Sequence, residues 1–179
     1  MGIPKAIIRN KVFRAWHKLQ TAASGTMPGL TNLTATMQKP TLTYLHLRPN
    51  EELPPAGLLP SAPFLAVLVI DEVCEEMWRW EASRWLAGSH CRYVLAWGQY
   101  CEDWAESVDD ANLEAYDYDD IPEDKLVMTT SHEEEELDDV FWFAKHRARH
   151  PTLVLPHTVI VHIAERGRKE LLEKQYAQA

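Results

Sequence analysis

Polar side chains able to do chemistry follow a series of short apolar runs in this chain. Asp71 and Glu72 come after PFLAVLVI, Trp97 and Gly98 close RYVLAWG, Thr129, Thr130 and His132 end DKLVMTTSH, and His162 lies in TVIVHIA. Carboxylates suit hard divalent cations, imidazole titrates near neutral pH, and hydroxyls donate and accept hydrogen bonds. Gathered at one place, such groups could hold a cation or act as an acid–base pair. The spacing nominates Asp71, Glu72, Thr130 and His132 as candidates for a crevice site, with Trp97 and Gly98 as binding residues beside them.

The run from His132 to Glu136 looks at first like a metal cluster, but helix chemistry explains it. Ser131 with Glu134 reads as a capping box opening a helix from His132 to Arg149. Acids in its first turn and bases in its last complement the helix dipole, so no metal ligands are assigned there. The acidic stretch from Glu102 to Asp124 lacks the glycine and the closing glutamate of a calcium loop and reads as a solvated or protein-docking face. Cys74, Cys91 and Cys101 form no CxxC pair and read as buried thiols of a reduced, cytoplasmic protein. The chain contains no Walker loop, GxGxxG, GxSxG or HExxH.

Six of the seven tryptophans fall between positions 78 and 142. Most belong in a core, because large aromatic side chains dominate burial. Trp80 and Trp142 sit off the apolar stripes of their helices and are read as contact residues for a partner.

The elements that must position these groups alternate. TLTYLHL, beginning at Thr41, reads as a first strand and a possible antiparallel edge; a proline-rich linker follows. PFLAVLVI, RYVLAWG, DKLVMTT and TVIVHIA read as strands buried on both faces. Between them Met77, Trp78, Ala82, Trp85 and Leu86, then Trp104, Val108 and Ala111, then Leu137, Val140, Phe141 and Ala144 recur at helical spacing, and GRKELLEKQYAQA closes the chain as a polar helix. This order predicts an α/β fold of three layers, a mostly parallel, Rossmann-like sheet of about five strands with helices on both faces. In such sheets ligands bind outside the carboxyl ends of the strands.

The charge is divided. Lys5, Arg9, Lys11, Arg14, Lys18 and Lys39 lie in the first 39 residues without one acid, leaving 12 basic against 27 acidic side chains in the remainder. Residues 1–36 read as a basic extension, disordered outside a short amphipathic helix near its start, with Met37 as a plausible native start. Residues 37–179 read as a single domain. An acidic body repels phosphate backbones, so nucleic acid is not expected as a partner of that domain; a basic protein is. No apolar run reaches the ~20 residues that a membrane-spanning helix needs.

At WRWEASRWL, YVLAWG, CEDWAESVDDANLEAYD and VMTTSHEEEELDDVFWFAKH the chain resembles a family of small bacterial proteins known as a domain of unknown function. The resemblance runs from about Pro40 to the C-terminus. It implies no activity, cofactor or catalytic residue. The residues therefore support two expectations: an interaction protein binding a basic partner through an acidic, tryptophan-bearing surface, or a small metal- or nucleotide-dependent enzyme with its site at the strand ends.

Overall fold

A computed structural model describes residues 41–179 and the backbone of Ile7 and Ile8. The elements are β1 (Ile7–Ile8), β2 (Thr41–Leu47), β3 (Phe64–Ile70), α1 (Glu76–Ala87), β4 (Cys91–Gly98), α2 (Cys101–Glu114), β5 (Met128–His132), α3 (Leu137–His146), β6 (His157–Ile163) and α4 (Lys169–Gln178). Short 3-10 turns span Ala56–Leu58 and Glu123–Lys125. The sheet order is β1-β5-β4-β3-β6-β2. The five long strands are all parallel, and β1 adds a two-residue antiparallel pair beside β5.

Every residue of β3 is buried, as its unbroken apolar sequence requires of a strand covered on both sides. Alternate side chains feed two cores. Phe64, Ala66, Leu68 and Ile70 pack with Trp78, Ala82 and Leu86 of α1 and Trp104 and Val108 of α2. Leu65, Val67 and Val69 pack with Leu137, Val140, Phe141 and Ala144 of α3 and Leu172 of α4. Trp78 and Trp104 meet edge to face with ring centroids 6.1 Å apart, and the Trp78 indole donates to the Glu51 carbonyl at 2.6 Å.

The winding follows from this layering. From β3 the chain steps to β4 and then β5 through α1 and α2 on one face, then returns through α3 on the other face to place β6 on the opposite side of β3. The carboxyl ends of β3 and β6 are therefore the point where connections diverge to opposite faces, the position at which open α/β sheets form a crevice.

Three expectations are corrected. β2 is an edge strand, but it runs parallel to β6 in register from Thr41↔His157 to Leu47↔Ile163. α3 begins at Leu137 with Glu136 as its N-terminal cap residue, and Ser131 and His132 remain in β5, where His132 pairs with Trp97. The Thr-Thr-Ser run favours the ladder, and no side chain caps α3. Met77, expected on the apolar face of α1, is 66% exposed. At Ile7–Ile8 the backbone is extended in the two-residue ladder; the remaining residues of the expected basic extension lie outside the described ones.

Gly98 makes the turn after β4 possible. Its φ is +101°, and an added Cβ would lie 2.3 Å from the Ile70 carbonyl oxygen. Gly98→Ala is expected to cost about 1–3 kcal/mol of stability by urea denaturation. Gly57→Ala, where an added Cβ meets nothing within 4 Å, should change little; equal effects at the two sites would refute the steric account.

Candidate functional site

One row of residues crosses the sheet near its carboxyl rim: His46, His162, Val69, Trp97 and His132 are successive partners on β2, β6, β3, β4 and β5. Because alternate side chains share a face, all five point to the side covered by α3 and α4. Asp71 continues that face one step beyond β3. The row organises two polar groups, with a crevice between them.

The first group is centred on Asp71. Arg168, the residue before α4, grips its carboxylate through Nε at 2.9 Å and Nη2 at 2.7 Å, and His162 Nε2 bonds the same carboxylate at 2.7 Å. His162 Nδ1 lies 2.8 Å from the Tyr44 hydroxyl, which also accepts the Arg168 backbone N–H at 3.2 Å. His46 donates from Nε2 to the Ala164 carbonyl at 2.7 Å and lies 5.7 Å, ring to ring, from His162. Burial lowers the His162 pKa, with the Asp71 carboxylate opposing. The neutral imidazole then donates from Nε2 to Asp71 and accepts the Tyr44 O–H at Nδ1.

The second group pins the loop from Glu133 to Glu136. His132 Nδ1 bonds the Glu135 carboxylate at 2.5 Å, His132 Nε2 lies 2.9 Å from the Thr130 hydroxyl, and the Trp97 indole donates to the Glu135 carbonyl at 2.7 Å. Burial lowers the His132 pKa as well, with Glu135 pulling the other way. Glu135 is held at both its side chain and its backbone, while Glu133, Glu134 and Glu136 are exposed.

Between the groups lies a crevice of about 510 Å³, lined by Ile70, Asp71, Trp97, Gly98, Gln99 and the four glutamates. Gln99 anchors its edge, its backbone N–H reaching the Ile70 carbonyl at 2.9 Å and its side-chain amide the Asp71 carbonyl at 2.6 Å. Five acidic residues and Trp97 line this space and no lysine or arginine does; the carboxylates of Asp71 and Glu135 are bonded to Arg168 and His132, while Glu133, Glu134 and Glu136 are exposed.

The nominated residues thus part company. Asp71, Trp97 and Gly98 line the crevice, whereas Thr130 and His132 are buried beneath it and support Glu135. Glu72 turns away and lines a smaller crevice of about 320 Å³ with Arg79, Tyr100 and Asp103, on the side of α1 and α2. Asp71 and Glu72 are therefore not a carboxylate pair. Trp80 on α1 and Trp142 on α3 occupy opposite faces of the sheet and share no patch. Each already has a cation beside it, Arg84 at 5.9 Å from the Trp80 ring and Arg147 at 5.7 Å from the Trp142 ring. A larger groove of about 900 Å³ at the amino-terminal rim, walled by the 150–156 loop, contains none of the nominated residues.

Tyr44, His46 and Arg168 are site residues that the sequence does not nominate. The first two share a strand face at i and i+2, a spacing that could have suggested them; Arg168 sits in a polar stretch that carries no such signal. Burial raises the pKa of all three thiols, that of Cys91 to about 12, which fits inert cysteines. Among the described residues no group of three or more His, Cys, Asp or Glu side chains is placed to hold a metal ion.

A family model described as a domain of unknown function (DUF7684) matches residues 42–179. No curated protein and no solved structure matches the chain.

Two outcomes follow from the hydrogen-bond groups. Asp71→Ala leaves His162 and Arg168 without their shared acceptor and is expected to destabilise by about 1–3 kcal/mol; in a double-mutant cycle, Arg168→Ala should add less than its own single effect. The lowered pKa values of His132 and His162 give a stability contribution that is present above about pH 6.5 and lost as pH falls through their folded values. Urea unfolding between pH 7 and 5 should therefore show falling stability. His162→Gln should reduce that slope by at most one proton, about 1.4 kcal/mol per pH unit; an unchanged slope would show that His162 does not titrate there.

Proposed function

Since the chain belongs to the DUF7684 family, whose description assigns no activity, we propose from its geometry that it is a binding protein. Its strand-end crevice receives a lysine or arginine side chain from a basic protein. The observation that carries this reading is a crevice lining of Trp97 and five acidic residues, three of them the exposed Glu133, Glu134 and Glu136, without a lysine or arginine. A cation over an indole face gains about 0.5–2 kcal/mol, more as the site is desolvated. The surrounding carboxylates attract it over longer range and favour association with a basic surface. The same acidic balance disfavours nucleic acid, and three free cysteines suit a reducing cytoplasm. No helix among the described residues is long and apolar enough to cross a membrane.

The alternative of a metal- or nucleotide-dependent enzyme has less support from the same geometry. Asp71, His162, Thr130 and His132 satisfy one another or Arg168, Tyr44 and Glu135, so the side chains best suited to acid–base work are already engaged. Basic character is also better matched to the crevice than the phosphates of a nucleotide are.

The test is a titration of the full chain with a lysine- and arginine-rich peptide, read by calorimetry in 50 mM and 500 mM salt. Binding should weaken at the higher salt. The triple variant Glu133→Gln, Glu134→Gln, Glu136→Gln should lose roughly tenfold in affinity, about 1.4 kcal/mol. Trp97→Ala should lose a similar amount, while Trp142→Ala should bind like the wild type. If the charge-matched triple Asp117→Asn, Asp119→Asn, Asp120→Asn weakened binding as much as the glutamate triple, the attraction would be general and the crevice would have no special role.

A further inference from the structure

The groove at the amino-terminal rim has a chemical character opposite to that of the acidic crevice. It encloses about 900 Å³, within the range of small-molecule sites. Its apolar lining consists of the buried Leu65, Ala144 and Ala148, continued by the half-buried Leu155 and Tyr176. Lys145, His146 and Arg149, from the end of α3 and the residues after it, add basic groups. Among the described residues that line the groove there is no aspartate or glutamate. In a chain with 27 acidic against 18 basic side chains, such a lining runs against the overall balance.

The loop that walls the groove is held in shape by a buried histidine that takes no part in the strand-end site. His150 Nε2 donates to the Leu126 carbonyl at 3.0 Å, and Nδ1 accepts the backbone N–H groups of Thr152 at 3.3 Å and Leu153 at 3.2 Å. Burial lowers the His150 pKa, with the hydrogen bond to Leu126 opposing, which suits the neutral ring that these bonds require. Pro151 and Pro156 restrict φ at the two ends of the same loop. On α4, Tyr176 is held by a hydroxyl bond to Thr158 at 3.0 Å and by an edge-to-face contact with Phe141, ring centroids 5.3 Å apart. The groove is thus shaped in advance, and a ligand would not have to order it.

We propose that this groove binds a small amphipathic anion, a monocarboxylate with a medium-length aliphatic body, whose tail lies on Leu65, Ala148 and Leu155 and whose carboxylate meets Arg149 and Lys145. Lys145 Nζ donates to the Ala177 carbonyl at 3.2 Å and lies 4.9 Å from the centre of the Tyr176 ring, and Arg149 Nη1 donates to the Ala148 carbonyl at 2.9 Å. An ammonium has three N–H donors and a guanidinium five, so both cations keep donors for an anion while they stay at the groove. The planar guanidinium matches the two oxygens of a carboxylate. A singly charged head suits a chain of formal charge −9 better than a phosphate does, since repulsion grows with the charge of the anion. Val154, 85% exposed, offers the tail a further apolar contact at the edge. The inference is independent of the reading of the acidic crevice, which lies at the opposite rim.

Three amphiphiles of one chain length separate the contribution of the head from that of the tail: decanoate, decan-1-ol and decyltrimethylammonium. Each is titrated into the full chain below its micellar concentration, and amide NMR spectra report both the site and the affinity. Decanoate should bind one to one, with shifts centred on residues 144–158 and Tyr176, at least about tenfold tighter than decan-1-ol. The cationic amphiphile should leave these residues unshifted. Arg149→Gln with Lys145→Gln should cancel the advantage of decanoate over decan-1-ol while the alcohol binds as before. Val154→Asp, at an exposed position where folding is little affected, should weaken decanoate by at least about tenfold. Decanoate that fails to saturate, or shifts centred outside the groove, would overturn the proposal. So would equal affinity for all three amphiphiles, which marks unselective apolar adsorption, or a decanoate affinity unchanged by the Arg149→Gln, Lys145→Gln pair.

Discussion

The position of β3 constrains the rest of the molecule. It is the strand from which the chain builds outward in both directions, first to β4 and β5, then back to β6, with β2 beyond. A strand buried on both faces can accept such growth only if helices cover each side, and α1 and α2 take one side while α3 and α4 take the other. Where those coverings part, no helix among the described residues closes the end of the sheet. Asp71 emerges there.

That exit creates a demand for partners, which the chain meets with groups distant in sequence. A carboxylate leaving a dry sheet next to a buried imidazole is costly unless it is bonded. Arg168 supplies two donors, His162 a third, and Tyr44 completes the imidazole's bonding. The second group is built in the same way, with Glu135 folded back on His132 and its carbonyl held by Trp97. The result is a shallow acidic recess whose walls are fixed by their own hydrogen bonds. The imidazoles and hydroxyls beneath it are bonded to one another and to these carboxylates.

The legibility of this arrangement in the sequence follows from how local each signal is. The apolar runs at Phe64–Ile70 and Cys91–Gly98 declare strands covered on two sides, and their ends place Asp71, Trp97 and Gly98 at one rim. The direction of β2 was not legible, since its partner β6 lies more than a hundred residues away and a run such as TLTYLHL suits either orientation. The start of α3 was misplaced because serine followed by glutamate three residues later imitates a capping box; the ladder to Trp97 and the bond from Glu135 to His132 outweigh it. Arg168 carried no periodic mark at all. The separation of Trp80 from Trp142 was likewise a matter of which helix covers which face, and only the crossing of α3 behind the sheet decides it.

Among the described residues β2 pairs with β6 alone, and this bears on synthesis. β3, β4 and β5 join sequential neighbours, so this half of the sheet can assemble while translation continues. β2 emerges before any of them, yet its ladder partner is the last strand made. During that interval Tyr44 and His46 have no histidine to meet and Asp71 has no arginine. The group around Asp71 can close only once the chain has been made through Arg168.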